Sequence, residues 1–246
     1  MFRTILIRDD GQPDGRDALR LARYLASQNA RFVLTSADSP DALRDAALEE
    51  QADLIVVPAG RTAKRLLHGL EMPVALAPRG FGVGREDRLR VIGVGFDAGE
   101  ESREALRLAE ELALEHGATM RVYSVIPPRA YATSRMEPTP AEYRERIKQT
   151  LAEHLREEVE QLDSRARAAA SAVRGEPVTA LAEASAQGLD LLVLGSRRQG
   201  PVSRLMLGSV SNDLVDRAES PLLVVPLPVA ASRHVADEPP RSVVPA

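Results

Sequence analysis

The sequence predicts an α/β protein of two tandem units, each a doubly wound parallel sheet, with the first unit truncated. Three observations carry this: an ordered internal repeat, alternating strand and helix periodicity, and strands that are apolar along their whole length. The string Ala18-Leu19-Arg20-Leu21-Ala22 recurs as Ala105-Leu106-Arg107-Leu108-Ala109, an offset of 87 residues that also carries Asp10 onto Asp97. Asp53-Leu54-Ile55-Val56-Val57-Pro58 parallels Asp190-Leu191-Leu192-Val193-Leu194-Gly195 at an offset of 137. Pro73-Val74-Ala75-Leu76-Ala77-Pro78 parallels Pro221-Leu222-Leu223-Val224-Val225-Pro226 at an offset of 148. The growing offset locates two losses from the first copy: about fifty residues, enough for a strand and a long helix, and then eleven, a loop. Such a repeat sets the architecture before any single element is assigned. The units fall at residues 1–82 and 88–226, with a linker at 83–87 beside the glycines of Gly80-Phe81-Gly82-Val83-Gly84.

In the second unit, Arg90 to Gly95 reads as a strand and Glu101 to His116 as a helix. That helix is apolar at Ala105, Leu106, Ala109, Leu112 and Ala113 and is stopped by Gly117. Met120 to Ile126 is the next strand, and the proline-rich stretch 127–140 an irregular crossing. A charged helix is predicted over Ala141 to Ala170, then a short strand at Ser171 to Arg174. Pro177 to Gln187 is a helix with proline in its first turn. Leu189 to Leu194 and Leu222 to Val225 are nearly pure apolar runs, as expected where helices cover both sheet faces, and Ser209 to Glu219 is the helix between them. The alternation implies right-handed crossovers, with ligands beyond the strand C-termini where strand order reverses. The tail 227–246 is predicted to be disordered.

Composition narrows the function. Of 246 residues, 44 % are hydrophobic and the net charge is -4, so no basic excess draws the chain to nucleic acid or an anionic membrane. The absence of Cys removes disulfides, thiol catalysis and cysteine-ligated metals. Aromatics are 3 % with no Trp, which argues against base-stacking platforms. No apolar run has bilayer-spanning length and the N-terminus lacks a signal-peptide core, so the expected location is the cytoplasm. His68, His116, His154 and His234 lie in separate predicted elements without ligand spacing, and no nucleophile elbow or zinc helix is present. A binding protein is expected rather than an enzyme, with slow hydrolysis of a bound ligand left open.

One post-strand segment carries chemistry. Residues 195–211 run from a buried strand end to a helix start. Gly195 lets backbone approach a ligand, Gly208-Ser209 offers unpaired helix N–H groups and a hydroxyl, and Arg197, Arg198 and Arg204 add charge. An ordinary loop before a serine-capped helix has the same glycines.

Here the residues resemble the universal stress protein family, whose nucleotide-binding members carry Gly, two residues, Gly, nine residues, then Gly-Ser or Gly-Thr. Gly195 and Gly208-Ser209 fit; the middle glycine falls on Arg198, a departure. A side chain there either obstructs the cradle or grips phosphate through its guanidinium. The resemblance spans nearly all of 88–226 and implies a Rossmann-like, adenine nucleotide alpha hydrolase-like fold binding ATP, with Mg2+ held by the triphosphate. It further implies that the acidic residue of Gly95-Phe96-Asp97 approaches the ribose, Val125 the base, and Val210 the phosphate end through its backbone. In the first unit Pro58 stands where Gly195 should be and the phosphate loop is missing. That unit is expected to bind no nucleotide, to lack the strand bearing a Val125 counterpart, and to leave Asp10 a solvated turn residue. Family members dimerise through their last strands, which implies an intramolecular pseudo-dimer here, with a homodimer also open and the protein partner unidentified. A scaffold of the same fold acting through protein contacts alone is the competing reading. An adenylating enzyme is a weaker third, because its glycine-rich pyrophosphate loop is missing after the first strand.

Overall fold

A computed structural model of the chain describes residues 1–68, 71–81, 88–126, 141–196 and 209–227, without the side chains of 141–144, 147 and 209. The first half runs β1 (Phe2–Arg8), α1 (Pro13–Leu25), β2 (Ala26–Thr35), α2 (Pro40–Glu49), β3 (Leu54–Pro58), α3 (Arg61–Leu66) and β4 (Val74–Ala77). The second runs β5 (Val91–Gly95), α4 (Glu100–His116), β6 (Thr119–Ile126), α5 (Ala141–Glu160), β7 (Ala168–Arg174), α6 (Pro177–Ala186), β8 (Leu191–Gly195), α7 (Ser209–Leu214) and β9 (Leu222–Val225).

The nine strands form one sheet in the order β2-β1-β3-β4-β9-β8-β5-β6-β7. All neighbours are parallel except β4 and β9, the last strands of the two halves, which pair antiparallel through Val74–Val224, Ala75–Leu223 and Leu76–Leu222. The chain therefore holds one continuous sheet rather than two separate ones. Its cores are continuous as well. On one face Ile5, Ile7, Ala75, Leu223, Ile92 and Val94 lie under α1, α4 and α5. On the other Leu6, Ile55, Leu76, Leu222 and Leu192 lie under α2, α3, α6 and α7. Two-sided cover explains why these strands read as unbroken apolar runs.

The two halves tie off their first strands in the same way. Asp53 accepts from the backbone N–H groups of Arg3 (2.7 Å) and Thr4 (3.0 Å), tying off the start of β1. Asp190 does the same for Arg90 (2.8 Å) and Val91 (2.9 Å) at β5. Each carboxylate satisfies strand-end donors that would otherwise be unpaired.

Three expectations need correction. The charged helix ends at Glu160, not Ala170: Asp163 caps a 3-10 turn over Ser164–Ala166, Arg167 adopts a left-handed conformation, and the alanines from 168 join β7 beside β6. Alanine favours helix, but the open edge of β6 decides. Helix α7 spans six residues instead of eleven. Its shortness weakens the dipole expected at Ser209. The first half does keep a strand beside β1: β2 pairs with β1 as β6 pairs with β5, so Ile5 meets Phe32 where Ile92 meets Met120. The counterparts of α5 and β7 are what is missing, and the residue level with Val125 is Ala37. Asp10 is exposed, as expected of a solvated turn residue, and accepts from the Arg8 guanidinium at 3.0 Å. The linker 83–87 and nearly all of the tail lie outside the described residues.

Candidate functional site

In the second half the strand order reverses between β5 and β8, where helices pass from one sheet face to the other. An open cavity of about 490 Å3 lies at that switch point, beyond the strand C-termini. Gly95, Phe96 and Asp97 line it from the end of β5, Val125 from β6, Gly195 from β8 and Val210 from α7. Six of the nine site residues named from sequence are thus brought to one cavity, from four separate elements. Arg198 and Gly208 lie outside the described residues, as do Arg197 and Arg204. Ser209 begins α7, but its side chain is not described.

Each residue has a local reason for its place. Phe96 buries its ring in the core while its N–H donates to the Tyr123 carbonyl at 2.8 Å, fixing the β5 exit against β6. Asp97 is exposed, and its Oδ1 accepts from the Gly99 N–H at 3.0 Å. Ser102 ties the same turn, donating to the Gly99 carbonyl at 2.9 Å and accepting from the Asp97 N–H at 3.4 Å. The carboxylate therefore shapes the turn into α4 while standing at the cavity wall.

Gly195 is required by packing. A Cβ there would lie 2.5 Å from the backbone carbon and oxygen of Glu101 and 2.7 Å from the Ser102 nitrogen. The strand can meet the first turn of α4 this closely only without a side chain. At Gly95 a Cβ would meet Leu194 Cδ2 at 2.6 Å.

Sequence reasoning missed much of the wall. Tyr123 lines the cavity two residues before Val125, on the same strand face, so period-2 alternation would have found it. Glu176, Pro177 and Val178 follow β7, where the rule about strand C-termini applies as well as it does after β5. Glu101, Ser102, Leu181, Leu194, Ser211 and Asp213 complete the lining. The floor is apolar through Val125, Val178 and Leu181. Every ionisable acid or base among the described lining residues, Tyr123 aside, is a carboxylate: Asp97, Glu101, Glu176 and Asp213. Among the described residues no cluster of three or more His, Cys, Asp or Glu could hold a metal ion. None of their helices is long and apolar enough to cross a membrane.

Comparison with known proteins bears on the family and the fold. The model of the universal stress protein family matches residues 88–226. A universal stress protein of Mycobacterium tuberculosis is 30 % identical over 206 residues, covering 75 % of this chain and 68 % of the relative. One from Thermus aquaticus is 31 % identical over 144 residues, covering 55 % of this chain and 98 % of its own length. Among solved structures, a universal stress protein from Archaeoglobus fulgidus superposes with a TM-score of 0.58 at 14 % identity, covering 91 % of this chain and 96 % of that one. A Pseudomonas aeruginosa protein described as functionally unknown gives 0.60 at 15 % identity, covering 91 % and 81 %. These two share the fold across both halves. With more than half its length matched by the family model, and a relative at this identity, the chain belongs to the universal stress protein family.

Proposed function

We propose that the second half binds an adenine nucleotide, ATP, in the cavity between β5 and β8, and that occupancy is what the protein reports in a stress response. The observation supporting this is the meeting of Gly95, Phe96, Asp97, Val125, Gly195 and Val210 at one cavity. Its volume falls in the range of about 300–1,000 Å3 usual for small-molecule pockets. The parts suit a nucleoside: an apolar floor for the base and an exposed Asp97 carboxylate to accept from ribose hydroxyls. The carboxylates around the described wall repel a bare polyphosphate. Its charge is met by Arg197, Arg198 and Arg204 and by Mg2+ carried on the triphosphate, which shields it from Glu101 and Asp213. The role is binding rather than turnover.

The first half is proposed to take no nucleotide, so the stoichiometry is one per chain. Mass spectrometry of the purified, denatured protein is expected to release ATP or ADP, and calorimetric titration of stripped protein to saturate at one site. Asp97→Ala is expected to weaken binding about tenfold or more, the loss of a charge-assisted hydrogen bond. Titration heats that are absent, or unaltered by Asp97→Ala, would refute the assignment in favour of a scaffold acting through protein contacts.

A further inference from the structure

The deletion in the first half leaves a slot that the second half fills. In the second half α5 lies over β6 and β7, with Leu155 in the core beneath it. There Met120 and Val122 of β6, opposite Ile92 and Val94, are 1 % and 0 % exposed. The matched residues of β2, opposite Ile5 and Ile7, are Phe32 and Leu34, exposed by 41 % and 56 %. They face the side of the sheet that α1 covers, but α1 makes its main contacts with β1, β3 and β4, and Phe32 and Leu34 stay exposed. No described residue takes the place of α5.

The wall of the slot carries charge. On α4, the flank turned to α5 presents Arg103, which pairs with Glu158 of α5 at 2.9 Å, and buried Leu106. It also presents Glu110, which accepts from the Asp163 N–H at 2.6 Å just past the end of α5. The matched residues of α1 are Arg16, Leu19 and Arg23. Arg16 and Arg23 are exposed, and neither has an ion pair among the described residues. Arg16 therefore stands where its twin holds a glutamate from a covering helix. Arg23 stands where that helix ends, and a cation suits the exposed carbonyls of a helix C-terminus. The slot has an apolar floor and a basic wall.

We propose that this slot docks an acidic amphipathic helix of a partner protein, laid across Phe32 and Leu34 with a carboxylate on Arg16. The partner would restore the layer that α5 supplies in the other half. Apolar anchors at helical spacing give affinity in such grooves, and charge on the rim sets orientation and partner choice. The proposal does not depend on nucleotide binding.

The test uses the full chain and a fluorescein-labelled peptide of residues 141–162, the sequence of α5 itself, as probe. Saturable binding is expected in fluorescence anisotropy, weakening as salt is raised. Leu34→Asp and, separately, Phe32→Ser alter exposed positions, so the circular dichroism should stay unchanged while affinity falls about tenfold or more. Arg16→Glu is expected to cost about tenfold, recovered by a peptide carrying Glu158→Lys. Absent binding, or binding indifferent to Leu34→Asp and Arg16→Glu because the peptide displaces α5, overturns the proposal. Concentration-dependent dimerisation abolished by Leu34→Asp also overturns it, assigning the surface to a second copy paired along β2.

Discussion

Arg8 and Gly95 hold the same place at the ends of matched strands, one with a long cationic side chain and the other with none. Both strands run into the same turn: Asp10 accepts from the Gln12 N–H at 3.1 Å, as Asp97 accepts from that of Gly99 at 3.0 Å. In the first half the Arg8 side chain is only 19 % exposed and its guanidinium occupies the second oxygen of Asp10. In the second half Gly95 sends nothing into that space, and a ligand can enter. Loss of a phosphate loop would weaken a site. On the proposed reading, a cation already paired to the carboxylate matched to Asp97 is a second obstacle. The halves thus differ in this side chain as well as in length, within a matched turn.

The largest expected effect comes from Gly195, whose counterpart is Pro58. Gly195→Val pushes a side chain into the backbone of Glu101 and Ser102, which moves only if α4 moves. Overpacking of this kind costs about 1–3 kcal/mol. For a chain of this size that is about 2–4 °C of melting midpoint per kcal/mol. Nucleotide binding should be lost with it, because the same helix turn lines the cavity. Pro58→Val is expected to leave binding intact and to shift the midpoint less. Equal losses of binding in the two variants would break the comparison, for they would mean that the first-half crevice matters to the ligand.

A smaller effect tests whether the halves fold as one. Asp53→Ala and Asp190→Ala each strip a carboxylate from two strand-end N–H groups. Hydrogen bonds to a charged acceptor, partly exposed as these are, predict about 1–2 kcal/mol for each. Because both cores run through the β4–β9 junction, each substitution should lower one shared transition in differential scanning calorimetry. Two separated transitions, each sensitive to its own aspartate, would make the halves independent domains.

How much of this was legible in the sequence depends on the range of the cause. The strands and most helices were readable because two-sided burial writes itself as apolar runs and 3.6-residue stripes. The match between the halves was readable because Asp53 and Asp190 each stand just before an apolar strand, where they perform one local task. Gly195 could be placed because it ends an apolar strand, whereas Gly95, Asp97 and Val125 were placed through the resemblance to the family. The end of α5 was not legible: nothing local in Ala168-Ala169-Ala170 says strand, and only the bare edge of β6 makes them one. Nor was the pairing of Arg8 with Asp10, whose meaning appears only when β1 is laid against β5. The acidic wall was missed because Glu101, Glu176 and Asp213 converge from α4, the start of α6 and α7, far apart in the chain.

The smallest effect lies where the halves touch on the α1 and α4 face. His116 ends α4 with its Nε2 buried and without a hydrogen-bond partner among the described residues. Burial pushes its pKa below the ordinary histidine value, with Arg88 acting the same way; Glu115 and a hydrogen bond to the Tyr24 backbone of α1 oppose them. The fold therefore favours neutral imidazole, and the unfolded chain binds the extra proton first. Stability contributed by this group is present above the unfolded histidine pKa and is lost as pH falls through and below it. A melting series should show the midpoint dropping as the solution is acidified from neutrality through pH ~6.5, the ordinary histidine value. His116→Gln, which cannot take up the proton, should flatten that part of the profile while leaving the midpoint at higher pH nearly unchanged. An unaltered slope in the variant would place the pH sensitivity elsewhere and leave the junction insensitive to protonation.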